Sequence, residues 1–100
     1  MKKLFITLLA GTIFANNPDA LTKASAALKV GLFREALLHV ADAQKENPTN
    51  PDVYRMKALL LEALDEPKNA LEAWKNCLEY STDEQVSREA NIHIQSLSEK

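Results

Sequence analysis

Two segments of this chain match each other at a fixed offset of 34 residues. Gly31 to Asn50 (GLFREALLHVADAQKENPTN) aligns without a gap on Asp65 to Glu84 (DEPKNALEAWKNCLEYSTDE). Ala36 falls on Ala70, Leu37 on Leu71, Val40 on Trp74 and Ala43 on Cys77. The stretch before each segment aligns too, with Lys23 and Ala24 falling on Lys57 and Ala58. A period in this range marks one repeating supersecondary unit, which cannot bury its apolar face alone and so stacks on its neighbours.

The first fifteen residues read differently from the rest. Met1-Lys2-Lys3 is a short basic start, and Leu4 to Phe14 is an uncharged apolar run. Ala15 is a small exit residue, after which Asn16, Asn17, Pro18 and Asp19 restore polarity. This is the layout of a secretory signal peptide, here residues 1–15. A membrane-spanning helix needs about 20 apolar residues, so the run is too short to span. The reading therefore expects no stable membrane insertion once the signal is removed, and no Cys follows the run to carry a lipid. Removing residues 1–15 takes away two lysines and no acid, moving the net charge from −2 to −4. A mildly acidic domain is a poor match for nucleic acid, which wants a basic face. It is equally poor for anionic lipid.

Residues 16–100 read as five helices. The first spans about Pro18 to Lys29, with Asn17 as N-cap and Pro18 at the first helical position. Gly31 ends it, since glycine takes a left-handed conformation without a steric cost. The second spans about Phe33 to Glu46, with an apolar stripe of Phe33, Ala36, Leu37, Val40 and Ala43. The third spans about Pro51 to Leu64, after an Asn-Pro start, and the fourth about Pro67 to Tyr80, with Asp65 as the expected cap. The fourth carries a stripe of Ala70, Leu71, Trp74, Cys77 and Leu78. The fifth starts near Asp83, where Ser81-x-x-Glu84 and Thr82-x-x-Gln85 both fit a capping box, and buries Val86, Ala90, Ile94 and Leu97. No strand pattern is present, and the short connections call for antiparallel helical hairpins.

These residues resemble the tetratricopeptide repeat. One copy, about residues 17–50, reads Ala20-x-x-Lys23-Ala24-x-x-Ala27, then Ala36-x-x-x-Val40, Ala43 and Pro48. The next, about 51–84, reads Tyr54-x-x-Lys57-Ala58-x-x-Leu61, then Ala70-x-x-x-Trp74 and Cys77. Lys23 and Lys57 depart from the usual Leu, Ala20 and Ala27 are smaller than the pattern, and Thr82 replaces the second closing Pro. In the fifth helix Val86 and Ala90 fit the motif only if the link is two residues short. The resemblance implies an all-α fold of antiparallel hairpins stacked as a short right-handed superhelix. Small residues at Ala24, Ala36, Ala58 and Ala70 would let helices approach, and Val40, Tyr54, Leu61 and Trp74 would fill the layers between. The helix at about 83–98 would cap the open end. The alanine-rich first helix has little apolar bulk, which leaves room for a partner or a second copy.

Nothing in the chain points to catalysis. Cys77 falls where the repeat wants a small buried residue and is expected to pack as a small hydrophobe. His39 sits beside the buried stripe of its helix and is expected at the surface; His93 lies between the apolar positions of the fifth helix, at the edge of its packing. A Cys-His nucleophile needs the pair in hydrogen-bond reach, which no spacing here provides. No set of about four ligands has metal-site spacing. No glycine-rich loop offers a phosphate cradle. No enzyme activity, cofactor or metal is expected. Trp74 occupies a core place of the repeat.

The resemblance implies a binding surface instead. In the family, the first helix of each hairpin lines a concave groove. Here that face carries Leu21, Ser25 and Leu28 from the first helix and Arg55, Leu59 and Glu62 from the third. The leucines offer apolar contact and Arg55 a partner for a carboxylate. The family's clamp for C-terminal carboxylates places Lys and Asn where this chain has Leu21, Ser25 and Leu59, so that activity is not expected. The function expected is a protein–protein interaction module, an exported adaptor or assembly factor, periplasmic or secreted, binding another protein or peptide. The alternative is a structural subunit that self-associates as a homo-oligomer through its repeat ends.

Overall fold

The computed structural model describes residues 18–100. The signal segment read at 1–15, and Asn17 as a cap, lie outside the described residues. Five helices follow one another with no strand among the described residues: α1 Ala20–Lys29, α2 Phe33–Glu46, α3 Pro51–Ala63, α4 Pro67–Tyr80 and α5 Glu84–Ser98. Each helix packs on the next, and α1 also touches α3.

The helix ends show how local chemistry sets the turns. α1 begins two residues after Pro18, because Asp19 is its N-cap and accepts a hydrogen bond from the Thr22 amide at 2.8 Å. Gly31, at φ 80°, reverses the chain between α1 and α2. A Cβ at Gly31 would meet nothing within 4 Å, so the backbone angle alone selects glycine there. Asn50 caps α3 by accepting from the Asp52 amide at 3.0 Å, and Pro51 follows at the first helical position. Two expected caps are corrected. Asp65 does not cap α4; it takes φ 58° and forms the left-handed turn that ends α3, and Glu66 stands at the cap without a side-chain bond. Asp83, not Ser81 or Thr82, caps α5, accepting from the amides of Gln85 and Val86 at 2.7 and 3.2 Å. Ser81 braces it by accepting from the Asp83 amide at 3.2 Å.

Two cores run through the stack. One joins Ala24 and Ala27 of α1, Ala36, Val40 and Ala43 of α2, and Val53 and Leu60 of α3. The other joins Tyr54, Ala58 and Leu61 of α3, Ala70, Ala73, Trp74 and Cys77 of α4, and Ala90 and Leu97 of α5. Leu37 packs against both and links them. The four alanines that recur at the repeat interval, Ala24, Ala36, Ala58 and Ala70, all have no exposed surface. Any larger side chain there would hold the backbones apart, since interiors are packed to crystal-like density. Val40, Tyr54, Leu61 and Trp74 are buried beside them. In α5 Ala90, 32 residues after Ala58, is buried, whereas Ile92 at the full interval is 61 % exposed. The link before α5 is thus two residues short of the period.

Side-chain bonds across neighbouring helices fix their directions. The Lys57 ammonium donates to Gln44 at 3.2 Å across α3 and α2, and the Trp74 indole to Glu62 at 2.6 Å across α4 and α3. Tyr54 near the start of α3 stacks on Tyr80 at the end of α4, while Glu62 near the end of α3 meets Trp74 midway along α4, so these two helices are antiparallel. Links of three or four residues turn the other packed neighbours back in the same way. It follows that α1, α3 and α5 run in one direction and α2 and α4 in the other. The Tyr54 hydroxyl donates to the Pro48 carbonyl at 2.5 Å and its ring stacks on Tyr80 at 5.6 Å, tying α3 to the turn before it and to the end of α4. No described helix is long and apolar enough to cross a membrane.

Candidate functional site

The helices that share one direction, α1, α3 and α5, line two adjoining surface hollows. Their sequences favour this, because each buries its small residues toward the even-numbered helices and leaves longer polar ones on the opposite side. The first hollow, ≈ 480 Å³, is lined by Asp52, Arg55, Gln85, Val86 and Glu89, so it lies between α3 and α5. The second, ≈ 470 Å³, lies between α1 and α3 and includes Leu21, Ser25, Lys29, Asp52, Arg55 and Met56. Asp52 and Arg55 belong to both. The two hollows therefore meet as one groove along α3.

Arg55 is held within this groove. Its Nε and Nη2 donate to the two oxygens of Glu89 at 2.5 and 3.1 Å, a two-point grip that fixes the guanidinium plane. Donation to Glu89 raises the Arg55 pKa against the opposing pull of desolvation, and the charges of Glu89 and Asp52 add to the rise. The pair is about one-third exposed on both sides, so its net contribution to stability is about 0.2–1 kcal/mol. Its larger effect is on what the groove offers. Arg55, expected to meet a partner's carboxylate, is already bonded through Nε and Nη2 to a carboxylate of the chain itself.

Of the expected surface residues, the structure brings Leu21, Ser25 and Arg55 together in one hollow. Leu28 and Leu59 line neither hollow; Leu21 and Leu28 are both half-buried against the α1–α2–α3 core, and Leu59 against the α3–α4–α5 core. Glu62 is turned to a structural task. Its Oε2 accepts from the indole Nε1 of the fully buried Trp74 at 2.6 Å and lies 2.8 Å from Nδ1 of His93. The His93 ring also stacks on Trp74, with ring centroids 4.3 Å apart. A buried indole N–H needs an acceptor, and Glu62 supplies it while tying α3 to α4 and α5.

The residues that sequence reading missed are Asp52, Met56, Gln85, Val86 and Glu89. Sequence offered no signal for Glu89, because with the link before α5 two residues short the position equivalent to Arg55 is Ser87, and Glu89 lies two residues beyond it.

Elsewhere the chemistry is that of packing. Cys77 is fully buried, and burial pushes its thiol pKa up, so the thiol stays protonated and unreactive at neutral pH. His39 is half-buried, closer in than expected, beside a hollow shared with Lys23 and Asp42. Among the described residues no group of three or more His, Cys, Asp or Glu side chains is placed to hold a metal. No family model matches the chain, and neither a curated protein nor a solved structure is significantly similar to it.

Proposed function

We propose that this chain is a protein–protein interaction module, an exported adaptor or assembly factor that docks a partner segment in the groove of α1, α3 and α5. The observation that carries the reading is that both hollows on this face are walled by these three helices and share Asp52 and Arg55. A continuous groove bordered by Leu21, Met56 and Val86 offers apolar contact, and Ser25, Gln85 and Asp52 offer polar atoms to orient what binds. The tetratricopeptide-like superhelix and the periplasmic or secreted location belong to the same proposal. They are supported by the recurring buried alanines and by the basic and apolar start of the sequence.

The outer face of α5 carries Glu84, Ser87, Arg88, Asn91 and Gln95 around Ile92. A polar outer face is what a capping element needs, and it disfavours growth of the stack at that end. One observation favours the second reading, self-association: Val30 and Leu32, flanking Gly31, are 70 % and 52 % exposed. Light scattering over a wide concentration range separates the two, since self-association requires mass to rise with concentration.

The test of docking is site-specific photo-crosslinking in cells that make the protein. A photoreactive residue replacing Ser25 is expected to trap a discrete adduct, and the same residue replacing Arg88 on the outer face of α5 is not. Equal trapping at both positions, or adducts from position 88 alone, would refute the groove as the docking face.

A further inference from the structure

We infer that the segment received by the groove carries a basic side chain, lodged beside Asp52 and Glu89, next to an apolar residue that rests on Leu21 and Met56. This rests on the docking reading above and adds the chemistry of the occupant.

The argument turns on which charges the groove has free. Arg55 is the only cation of the α3–α5 hollow, and its Nε and Nη2 donate to Glu89, which leaves Nη1 as its outward-facing donor. Asp52 lines both hollows, is exposed, and among the described residues no cation lies within ion-pair distance of it. The α3–α5 hollow therefore holds two carboxylates against one guanidinium. In the α1–α3 hollow the second cation, Lys29, sits in the last turn of α1, whereas Asp19 and Asp52 stand where α1 and α3 begin. Those two helices run in the same direction, so negative charge gathers at one end of the groove and Lys29 lies at the other.

An acidic segment entering at the Asp52 end would meet that unpaired carboxylate and could reach only Nη1 of Arg55 while Glu89 holds the other two nitrogens. A fuller grip on Arg55 would leave Glu89 without its partner, a like-charge arrangement with the incoming acid. A lysine or arginine breaks no existing bond there. It adds a cation between two carboxylates, and its methylene stem has Val86 and Met56 to lie against. The neighbouring leucine of the groove, Leu21, takes an apolar side chain one or two residues away along the occupant.

The experiment uses the purified protein and two pools of fluorescent 12-residue peptides. The pools are identical mixtures of Leu, Ala, Ser and Gln except at the centre, which is Lys or Arg in one and Asp or Glu in the other. The basic pool is expected to bind more tightly by anisotropy, and its tightest members to weaken roughly threefold to tenfold with Asp52→Asn. Asp52→Glu is expected to keep most of the binding, and added salt to weaken it. Circular dichroism checks that each variant is folded. If the acidic pool binds better, or if Asp52→Asn changes nothing while Leu21→Glu abolishes binding, the basic occupant is refuted and the groove stands. If neither pool binds in a way that Leu21→Glu abolishes, the docking reading fails and this inference with it.

Discussion

Replacing Trp74 with alanine tests the packing from which the groove is built. The indole has no exposed surface and sits among Tyr54, Ala58, Leu61, Ala70, Ala73, Cys77, Ala90 and Leu97, drawn from α3, α4 and α5. It also stacks on His93 and donates to Glu62 at 2.6 Å. Truncating a buried tryptophan to alanine costs about 3–5 kcal/mol, because burial is lost and a cavity remains. A chain of this size has only about 5–15 kcal/mol of stability in all. With a urea slope of about 1–3 kcal/mol/M, the midpoint should fall by roughly 1–5 M, or folding should fail. Trp74→Phe keeps an aromatic ring and loses the bond to Glu62, so it should cost about 2 kcal/mol. Urea titrations followed by far-ultraviolet circular dichroism measure both, since the only tryptophan is removed. If Trp74→Ala lies within about 0.5 kcal/mol of wild type, the size of an ordinary surface change, the indole does not join these three helices.

Three further outcomes follow from the same structure. Ala58→Leu, at a position with no exposed surface, should destabilise by about 1–3 kcal/mol through overpacking between α3 and its neighbours, while Ala26→Leu on the exposed side of α1 should change the urea midpoint little. Gly31→Ala should lower stability by about 1–2 kcal/mol through its left-handed backbone angle alone, since the space around it is open, and a melting curve should drop by roughly 4–8 °C per kcal/mol. The bond from Thr22 holds the Asp19 carboxyl below its ordinary range, so this cap stabilises α1 above the usual carboxylate pKa and is lost as pH falls through the lowered value; protection of the Thr22 amide, relative to its intrinsic exchange rate at each pH, should fall over that acidic interval in wild type and be low already at neutral pH in Asp19→Ala.

The core was legible because burial there depends on residue size at a fixed interval. Ala24, Ala36, Ala58 and Ala70 could be picked out as contact points before any coordinate, and all four are fully enclosed. Caps were less legible, because several acceptors compete for the same amides. Ser81, Thr82 and Asp83 stand in a row before α5, and Asp83 wins by being adjacent to the first turn and free to accept from two amides. Asp65 was drawn off by the turn that ends α3, since aspartate tolerates the left-handed angle better than most residues. The groove was half legible. The resemblance to the tetratricopeptide repeat implied a shared face for Leu21, Ser25 and Arg55, but a face says nothing of what each side chain reaches. Arg55 is claimed by Glu89 of another unit, and Glu62 by the buried indole that must have an acceptor. Those are tertiary contacts between residues far apart in the chain, which no helix read alone reveals.

The account stands most directly on where a bound segment sits. Amide chemical shifts recorded while the tightest basic peptide is titrated into the protein locate it residue by residue. The expected result is a contiguous set of changes at Leu21, Ser25, Asp52, Arg55 and Glu89, with α2 and the outer face of α5 undisturbed. Changes confined to the turn from Val30 to Leu32, or to α2 and α4, would contradict it.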